Sequence, residues 1–381
     1  MKITVLGYLD SSGHSGAGRR AVRHAIYFAE KKMDVTLISG IKPYKNIDKL
    51  RYVQTKSKGI SIISFIITHY RLLKEIAFVK SDIIHFIPSS TFLRACLIML
   101  SKITGKYIIA ETTMDGSDDT GSLSKKKFGK FRAFAQKSAD SVVCISPRLI
   151  ESCKKAGVHE EKLKLIGNDV NIERFSPLSD EEKKEKRRLL GIDENAVIAL
   201  HLGIVRDRKN VLFLIEVLNK IKDNEKKLKL IIAGSTTKDY EVKHYSEKVR
   251  NKIESYNLSD RVYFLGEVDD EAEYMQISDM FWFASKKEGF GTVLIEAMAC
   301  GLPVISTKLD GITDWIISNS KNGFVVENIN DFVNVALKLS RDEENRKNIG
   351  ASARKTAVNR YSQQVIMQQY YDLYYSLLNS K

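Results

Sequence analysis

The run at residues 288–296, EGFGTVLIE, sets two carboxylates, Glu288 and Glu296, around a glycine-rich loop and the start of an apolar helix. Gly289 and Gly291 let the backbone on either side of Phe290 approach a ligand without obstruction by Cβ. At the start of the helix, around Thr292 and Val293, amide N–H groups have no partner within the helix and form a natural phosphate site. A carboxylate accepts hydrogen bonds from adjacent hydroxyls of a ribose or hexose. Phosphate-seeking amides flanked by hydroxyl-seeking carboxylates are what a nucleoside diphosphate sugar requires.

Such a loop must hang between a buried strand and a helix. The strand is supplied by MFWFA, 280–284, and the helix by TVLIEAMACG. Short apolar runs alternate with helical patterns along the whole chain, which is the signature of parallel α/β sheets. Strands are expected at 3–6, 35–38, 83–86, 107–110, 142–145 and 163–166, then at 197–202, 228–233, 262–265, 280–284, 304–306 and 324–326. Several are apolar on both faces, as buried parallel strands must be. Between the two series lie Pro177 and the charged run DEEKKEKRRLL, which reads as a solvated helix. A hinge near Arg174 divides the chain into a first domain, 1–173, and a second, 174–361. The tyrosine-rich closing helix, 362–381, either packs on the second domain or crosses back to complete the first; the division adopted places it with the first. The architecture is two doubly wound, Rossmann-like domains, with ligands expected at the carboxyl ends of the strands in a cleft between them.

A chain of 381 residues with 43% hydrophobic and 28% charged residues has room for two such domains and an ordinary globular composition. Its four cysteines stand apart, with no CxxC pair or Cys/His cluster, so neither a disulfide framework nor a structural zinc site is indicated and a reduced cytoplasmic setting is expected. MKITVLGYLD reads as a first strand, not a signal peptide. The apolar stretch 60–79 is interrupted by His69, Arg71, Lys74 and Glu75, too polar for a membrane span, and reads as a buried or membrane-facing helix.

At this point the resemblance is plain. EGFGTVLIEAMACGLPVIST resembles the Glu-seven-residues-Glu motif of the family 4 retaining glycosyltransferases of GT-B fold, the glycosyl transferases group 1. ADSVVCISPRLIE is similar to that family's last N-domain strand and following helix, and KLIGNDVNIERFSP to its interdomain signature. Gly203 with Lys209 and Asn210 resembles its phosphate-binding loop, and the glycine-rich SGHSGAGRRAVRHA its loop after the first strand, where Gly16 and Gly18 would approach donor phosphate or acceptor. The resemblance implies that Glu288 lies near the transferred sugar beside the 289–291 backbone, that Glu296 binds the ribose, that Lys209 contacts the diphosphate, and that the backbone at Glu267 and Val268 lies near the base. A fixed cation with backbone amides stabilises the charge built on a departing nucleoside diphosphate. That chemistry calls for no metal and no cofactor.

Three departures from the pattern matter. Ile204 stands where the family usually has arginine, so the second cation is assigned to Arg208, ahead of Arg206. No histidine appears in YIIAETTMDGSDD, where many members carry one near the reacting sugar; Thr112, Thr113, Asp115 or Asp118 are candidates to line the site, and His85, on a comparable strand end, is another. Asp169 and Asn171 replace the usual glycine and aspartate of the interdomain signature, which bears on the local turn.

The charge of +14 is uneven. Residues 1–173 hold 29 lysines and arginines against 16 acids, a net of +13. In 124–137, Lys125, Lys126, Lys127, Lys130 and Arg132 interleave with Phe128, Phe131 and Phe134, a pattern read either as one basic helix with an aromatic stripe on an anionic membrane or as a helix whose phenylalanines enter the core. The function expected is transfer of a hexose from a UDP- or GDP-sugar to a glycan or lipid-linked oligosaccharide, in capsule, O-antigen or exopolysaccharide synthesis, at the inner face of the cell membrane. A non-catalytic sugar-nucleotide- or membrane-binding protein of the same fold is the competing reading. Nucleic acid is not expected as a partner, since no recognisable module accompanies the charge.

Overall fold

The computed structural model describes residues 1–7, 16–55, 70, 72–87 and 91–379. The strands are β1 (Lys2–Leu6), β2 (Asp34–Ser39), β3 (Leu50–Gln54), β4 (Ile83–Phe86), β5 (Tyr107–Thr112), β6 (Ser141–Cys144) and β7 (Leu163–Leu165), then β8 (Val197–Leu202), β9 (Leu228–Ala233), β10 (Val262–Gly266), β11 (Met280–Phe283), β12 (Val304–Thr307) and β13 (Gly323–Val326). They form two parallel sheets, ordered β3-β2-β1-β4-β5-β6-β7 and β10-β9-β8-β11-β12-β13. Each is a doubly wound α/β sheet, as the alternating pattern implies, and the pair of them is what the resemblance to the GT-B fold calls for. β3 was not expected: LRYVQ is a half-exposed edge strand, and its residues lack the all-apolar run of a central one.

The chain divides into two compact units. One is Met1–Gly167 with Met367–Lys381, and the other is Asn168–Ile366. The later turns of the closing helix, Gln363–Leu378, therefore belong to the first unit.

In the first unit β4 and β5 are covered on one face by a buried polar network. Glu111 on β5 is ion-paired with Arg20. It accepts a hydrogen bond from Tyr370 at 2.5 Å and one from His85 Nε2 at 3.0 Å. The Nε2–H form leaves His85 Nδ1 to accept from the Tyr374 hydroxyl at 2.8 Å. Burial, then the charges of His24, Arg20 and Arg94, hold His85 well below its ordinary pKa, so the ring is neutral. Tyrosines of the closing helix are thereby keyed to strand ends far away in sequence.

The second unit is built on β11, whose four residues are all buried. Trp282 packs edge-on against Phe332 at 5.5 Å. Burial of such side chains contributes about 1.5–3 kcal/mol each, which fixes the strand from which the 285–291 loop departs. The charged run does form a helix, Asp180–Leu189, started by a capping box between Ser179 and Glu182. It is not wholly solvated as expected. Lys183 and Arg187, four apart and so on one face, reach Asp279 at 2.6 and 2.7 Å.

The basic segment is also corrected. No single helix spans 124–137. A helix Thr120–Ser124 ends, Phe128 takes a left-handed conformation (φ 57°), and a second helix runs Gly129–Ser138. A Cβ at position 129 would overlap the Ser124 carbonyl, so the chain turns there at a glycine. The phenylalanines stay out of the core: Phe128, Phe131 and Phe134 are 59, 37 and 58% exposed. Phe128 and Phe131 flank Phe92, with ring centroids 5.0 and 5.5 Å away. Most of the 60–79 stretch lies outside the described residues, and no described helix is long and apolar enough to cross a membrane.

Candidate active site

In the second sheet, connections from β8 run through β9 to β10 on one side, while β11 leads to β12 and β13 on the other. The order reverses between β8 and β11, and the loops leaving their carboxyl ends flank the switch point where such sheets bind ligands. Sequence reasoning drew its catalytic candidates from these two loops, 203–210 and 285–291.

The structure brings them into contact. After β8 the chain forms a short 3-10 turn, Asp207–Lys209, ended by Asn210 in a left-handed conformation (φ 55°). Lys209 Nζ donates to Glu288 Oε1 at 2.7 Å, and Arg208 lies 2.9 Å from Oε2. The loops are also joined at the backbone: Lys286 N donates to the Arg208 carbonyl at 2.8 Å, and the Arg208 guanidinium donates to the Lys287 carbonyl at 2.6 Å. Glu288 is buried. Burial pushes its carboxyl up, but Lys209 and then Arg208 outweigh that and hold it below the usual glutamate range, so it is ionised at neutral pH. Lys209 Nζ also sits 5.7 Å over the Phe283 ring at the end of β11. Arg206, the cation set second, turns away to Asp239 at 2.9 Å.

The helix Thr292–Ala299 begins at Gly291, whose φ of 87° suits glycine and which supplies no side-chain cap. A Cβ there would come within 2.9 Å of Leu294 Cδ1. Phe290 is buried, packed edge-on at 5.8 Å against both Trp315 and Tyr361, so its ring anchors the loop. Thr292 and Val293 are half-buried in the first turn, and Glu296 is half-buried one turn on. Val268 lies half-buried just after β10. Gly16 begins the helix Gly16–Glu30; most of the glycine loop before it lies outside the described residues.

Two residues that sequence reasoning missed shape this site. Gly234 ends β9 with φ 143°, and a Cβ there would overlap the Gly203 carbonyl. Its signal was present in IIAGS, a glycine directly after a strand. Asn168 donates its side-chain amide to Thr292 Oγ1 at 2.8 Å, tying the interdomain signature to the helix start. In the same signature Asn171 Oδ1 accepts from the amides of Glu173 and Arg174, both at 3.0 Å, so the turn is made with asparagine in place of aspartate.

Candidates in the first unit are engaged otherwise. Asp118 accepts from Thr112 Oγ1, from Thr113 through both its amide and its hydroxyl, and from Met114 N, all at 2.8–2.9 Å. It orders its own loop. Asp115 pairs with Arg148 at 2.8 Å, and His85 is completely buried in the network above. Among the described residues one set, His24, His85 and Glu111, brings metal-ligating atoms within 4.8 Å of one another. Glu111 and His85 are committed to each other and to Arg20 and the two tyrosines.

Residues 182–356 match the family model described as glycosyl transferases group 1. The chain is 29% identical over 286 residues to the N-acetyl-alpha-D-glucosaminyl L-malate synthase of Bacillus anthracis, covering 74% of this chain and 72% of that one. It is 26% identical over 345 residues, 86% of each chain, to an Escherichia coli UDP-Gal:alpha-D-GlcNAc-diphosphoundecaprenol alpha-1,3-galactosyltransferase. The crystal structure of Anabaena HepE in complex with UDP has the same fold, with a TM-score of 0.79 at 20% identity over 99% of this chain and 100% of that one. With the two sheets and the site between β8 and β11, these findings make the chain a glycosyltransferase of GT-B fold. Its group 1 match lies in the unit that carries Arg208, Lys209 and Glu288.

Proposed function

We propose that the protein transfers a hexose from a UDP- or GDP-sugar to a glycan or lipid-linked oligosaccharide, with retention of configuration, in cell-surface polysaccharide synthesis. The observation that carries this reading is the pairing of Lys209 and Arg208 beside an uncapped helix start at the switch point. Two cations and the amides of Thr292 and Val293 suit a diphosphate, and they stabilise it most as it leaves with growing charge. In this reading Glu296 takes ribose hydroxyls, Glu288 those of the sugar, and the backbone at Val268 borders the base. The chemistry of this donor set is cationic, so the reaction runs without metal or cofactor in this reading.

The acceptor is assigned to the basic first domain. Exposed Phe92, Phe128, Phe131 and Phe134 lie among Lys125, Lys126, Lys127, Lys130 and Arg132. Aromatic rings that insert at the headgroup boundary, ringed by cations worth about 1 kcal/mol each at an anionic surface, suit the inner face of the cell membrane. A lipid-linked acceptor fits that location, and the relative acting on a diphosphoundecaprenol-linked sugar supports it. Retention rests on the resemblance of the 288–296 motif.

The test is a panel of UDP- and GDP-sugars screened by thermal shift, where a donor at 100 times its Kd adds ~2.7 kcal/mol of stability. Release of nucleoside diphosphate is then followed with a lipid-linked acceptor, and the anomeric configuration of the product is read by NMR. A donor that binds but is never turned over with any acceptor favours the non-catalytic reading, to which the burial of His85 and the internal bonding of Asp118 already lend weight.

A further inference from the structure

Glu288 is held by both cations at once, one on each carboxylate oxygen: Lys209 Nζ at 2.7 Å from Oε1 and Arg208 at 2.9 Å from Oε2. Two cations presented side by side from one rigid turn are the arrangement that two phosphoryl oxygens would also satisfy. Rigidity comes from the 3-10 turn and from two hydrogen bonds that join it to the 285–291 loop, Lys286 N to the Arg208 carbonyl and the Arg208 guanidinium to the Lys287 carbonyl. Lys209 and Glu288 are both largely withdrawn from water, so neither charge is cheaply left alone.

We propose that Glu288 is an internal stand-in for the donor diphosphate, occupying Lys209 and Arg208 until the nucleotide enters and then turning to the hydroxyls of the transferred sugar. The proposal rests on the donor-site reading above. A diphosphate that draws off the two cations leaves a buried carboxylate without its partners and next to a second anion. An intact nucleotide sugar repairs this, because sugar hydroxyls donate to the freed carboxylate. A spent nucleoside diphosphate has no sugar and cannot. Glu288 therefore sets the preference for intact donor over product, in addition to any part it takes at the sugar, and its charge helps expel the product.

The consequence is opposite in sign to that of an ordinary binding residue. Glu288→Gln keeps the side chain's size but removes the internal anion, leaving the cations to the nucleotide. It should bind UDP or GDP, whichever the unaltered protein binds, at least about tenfold more tightly, the scale of relieving one buried unpaired group. At the same time kcat/KM for the nucleotide sugar should fall. The experiment is calorimetric titration of UDP and GDP into the unaltered protein, Glu288→Gln and Glu288→Ala, with tryptophan fluorescence confirming the fold. Equal or weaker nucleotide binding by folded variants overturns the proposal. Should neither variant fold, the unaltered protein decides: the Glu288 carboxyl, followed by carbon-13 NMR, should titrate at higher pH with UDP or GDP bound than without, and an unchanged titration overturns the proposal. Failure of the unaltered protein to bind either nucleotide instead overturns the donor-site reading beneath it.

Discussion

Replacing Lys209 by methionine keeps length and apolar bulk but removes the charge 2.7 Å from Glu288 Oε1. At an effective dielectric constant of about 20, that separation corresponds to an attraction of ~6 kcal/mol. Desolvation of the two groups cancels much of it in the intact pair. Removing one partner leaves the burial of Glu288 opposed by Arg208 alone, and broken pairs of this kind cost about 3–5 kcal/mol. The Lys286–Asp207 pair on the same loops is the control, equally short at 2.8 Å but with side chains 51 and 72% exposed. Lys286→Ala should cost no more than about 1 kcal/mol. Both tryptophans of the chain, Trp282 and Trp315, lie in the second unit, so their fluorescence during thermal unfolding reports on this unit. For a unit of this size each kcal/mol lowers Tm by about 2–4 °C, giving roughly 6–20 °C for Lys209→Met. The double variant with Glu288→Gln, which removes both charges, should recover most of that loss. Equal shifts for Lys209→Met and Lys286→Ala would refute the claim that the Glu288 cluster is a buried, cooperative unit.

Three further outcomes follow. His201 is buried on β8; burial, then Lys209, push its pKa down to about 4. The unfolded chain binds its proton at about pH 6.5 and the native one does not, so stability of the second unit is full above that value and falls between pH 6.5 and 4. From pH 7.5 to 5.5 the loss should be about 1.3 kcal/mol, measured by urea unfolding, and His201→Gln should abolish this share. Gly234→Ala should destabilise the unit by more than about 1 kcal/mol and displace the loop after β8, weakening nucleotide binding in calorimetry, whereas Gly191→Ala, with φ 67° and open space around it, should leave nucleotide binding intact. Replacing Phe128, Phe131 and Phe134 together by serine should abolish sedimentation with phosphatidylglycerol vesicles while changing stability by under about 0.5 kcal/mol per site; undiminished sedimentation would count against the aromatic patch.

The strand–loop–helix unit was legible because it is local: strand, glycine loop, carboxylate and helix follow one another within 280–299, and period and turn chemistry place them. Which cation meets Glu288 was less so, since Arg206 and Arg208 differ by half a turn and only the 3-10 geometry of Asp207–Lys209 separates them. Features made by distant residues were not legible. Asp279 draws in Lys183 and Arg187 across more than ninety positions, and Glu111 binds tyrosines of the closing helix. β3 was missed because an edge strand has no apolar run, and the break at Phe128 because a non-glycine residue in a left-handed conformation leaves no pattern in sequence.

The central claim is that the loops after β8 and β11 bind and activate a nucleotide sugar. Its most direct test is release of UDP or GDP from a panel of nucleotide sugars, in the presence of membrane lipids carrying the acceptor, by the unaltered protein and by Lys209→Met. One donor should be turned over, with the rate lowered ~10²–10³-fold in the variant once its folded fraction is accounted for. Turnover that survives the loss of Lys209, or a panel in which no donor is bound or consumed, would contradict the account.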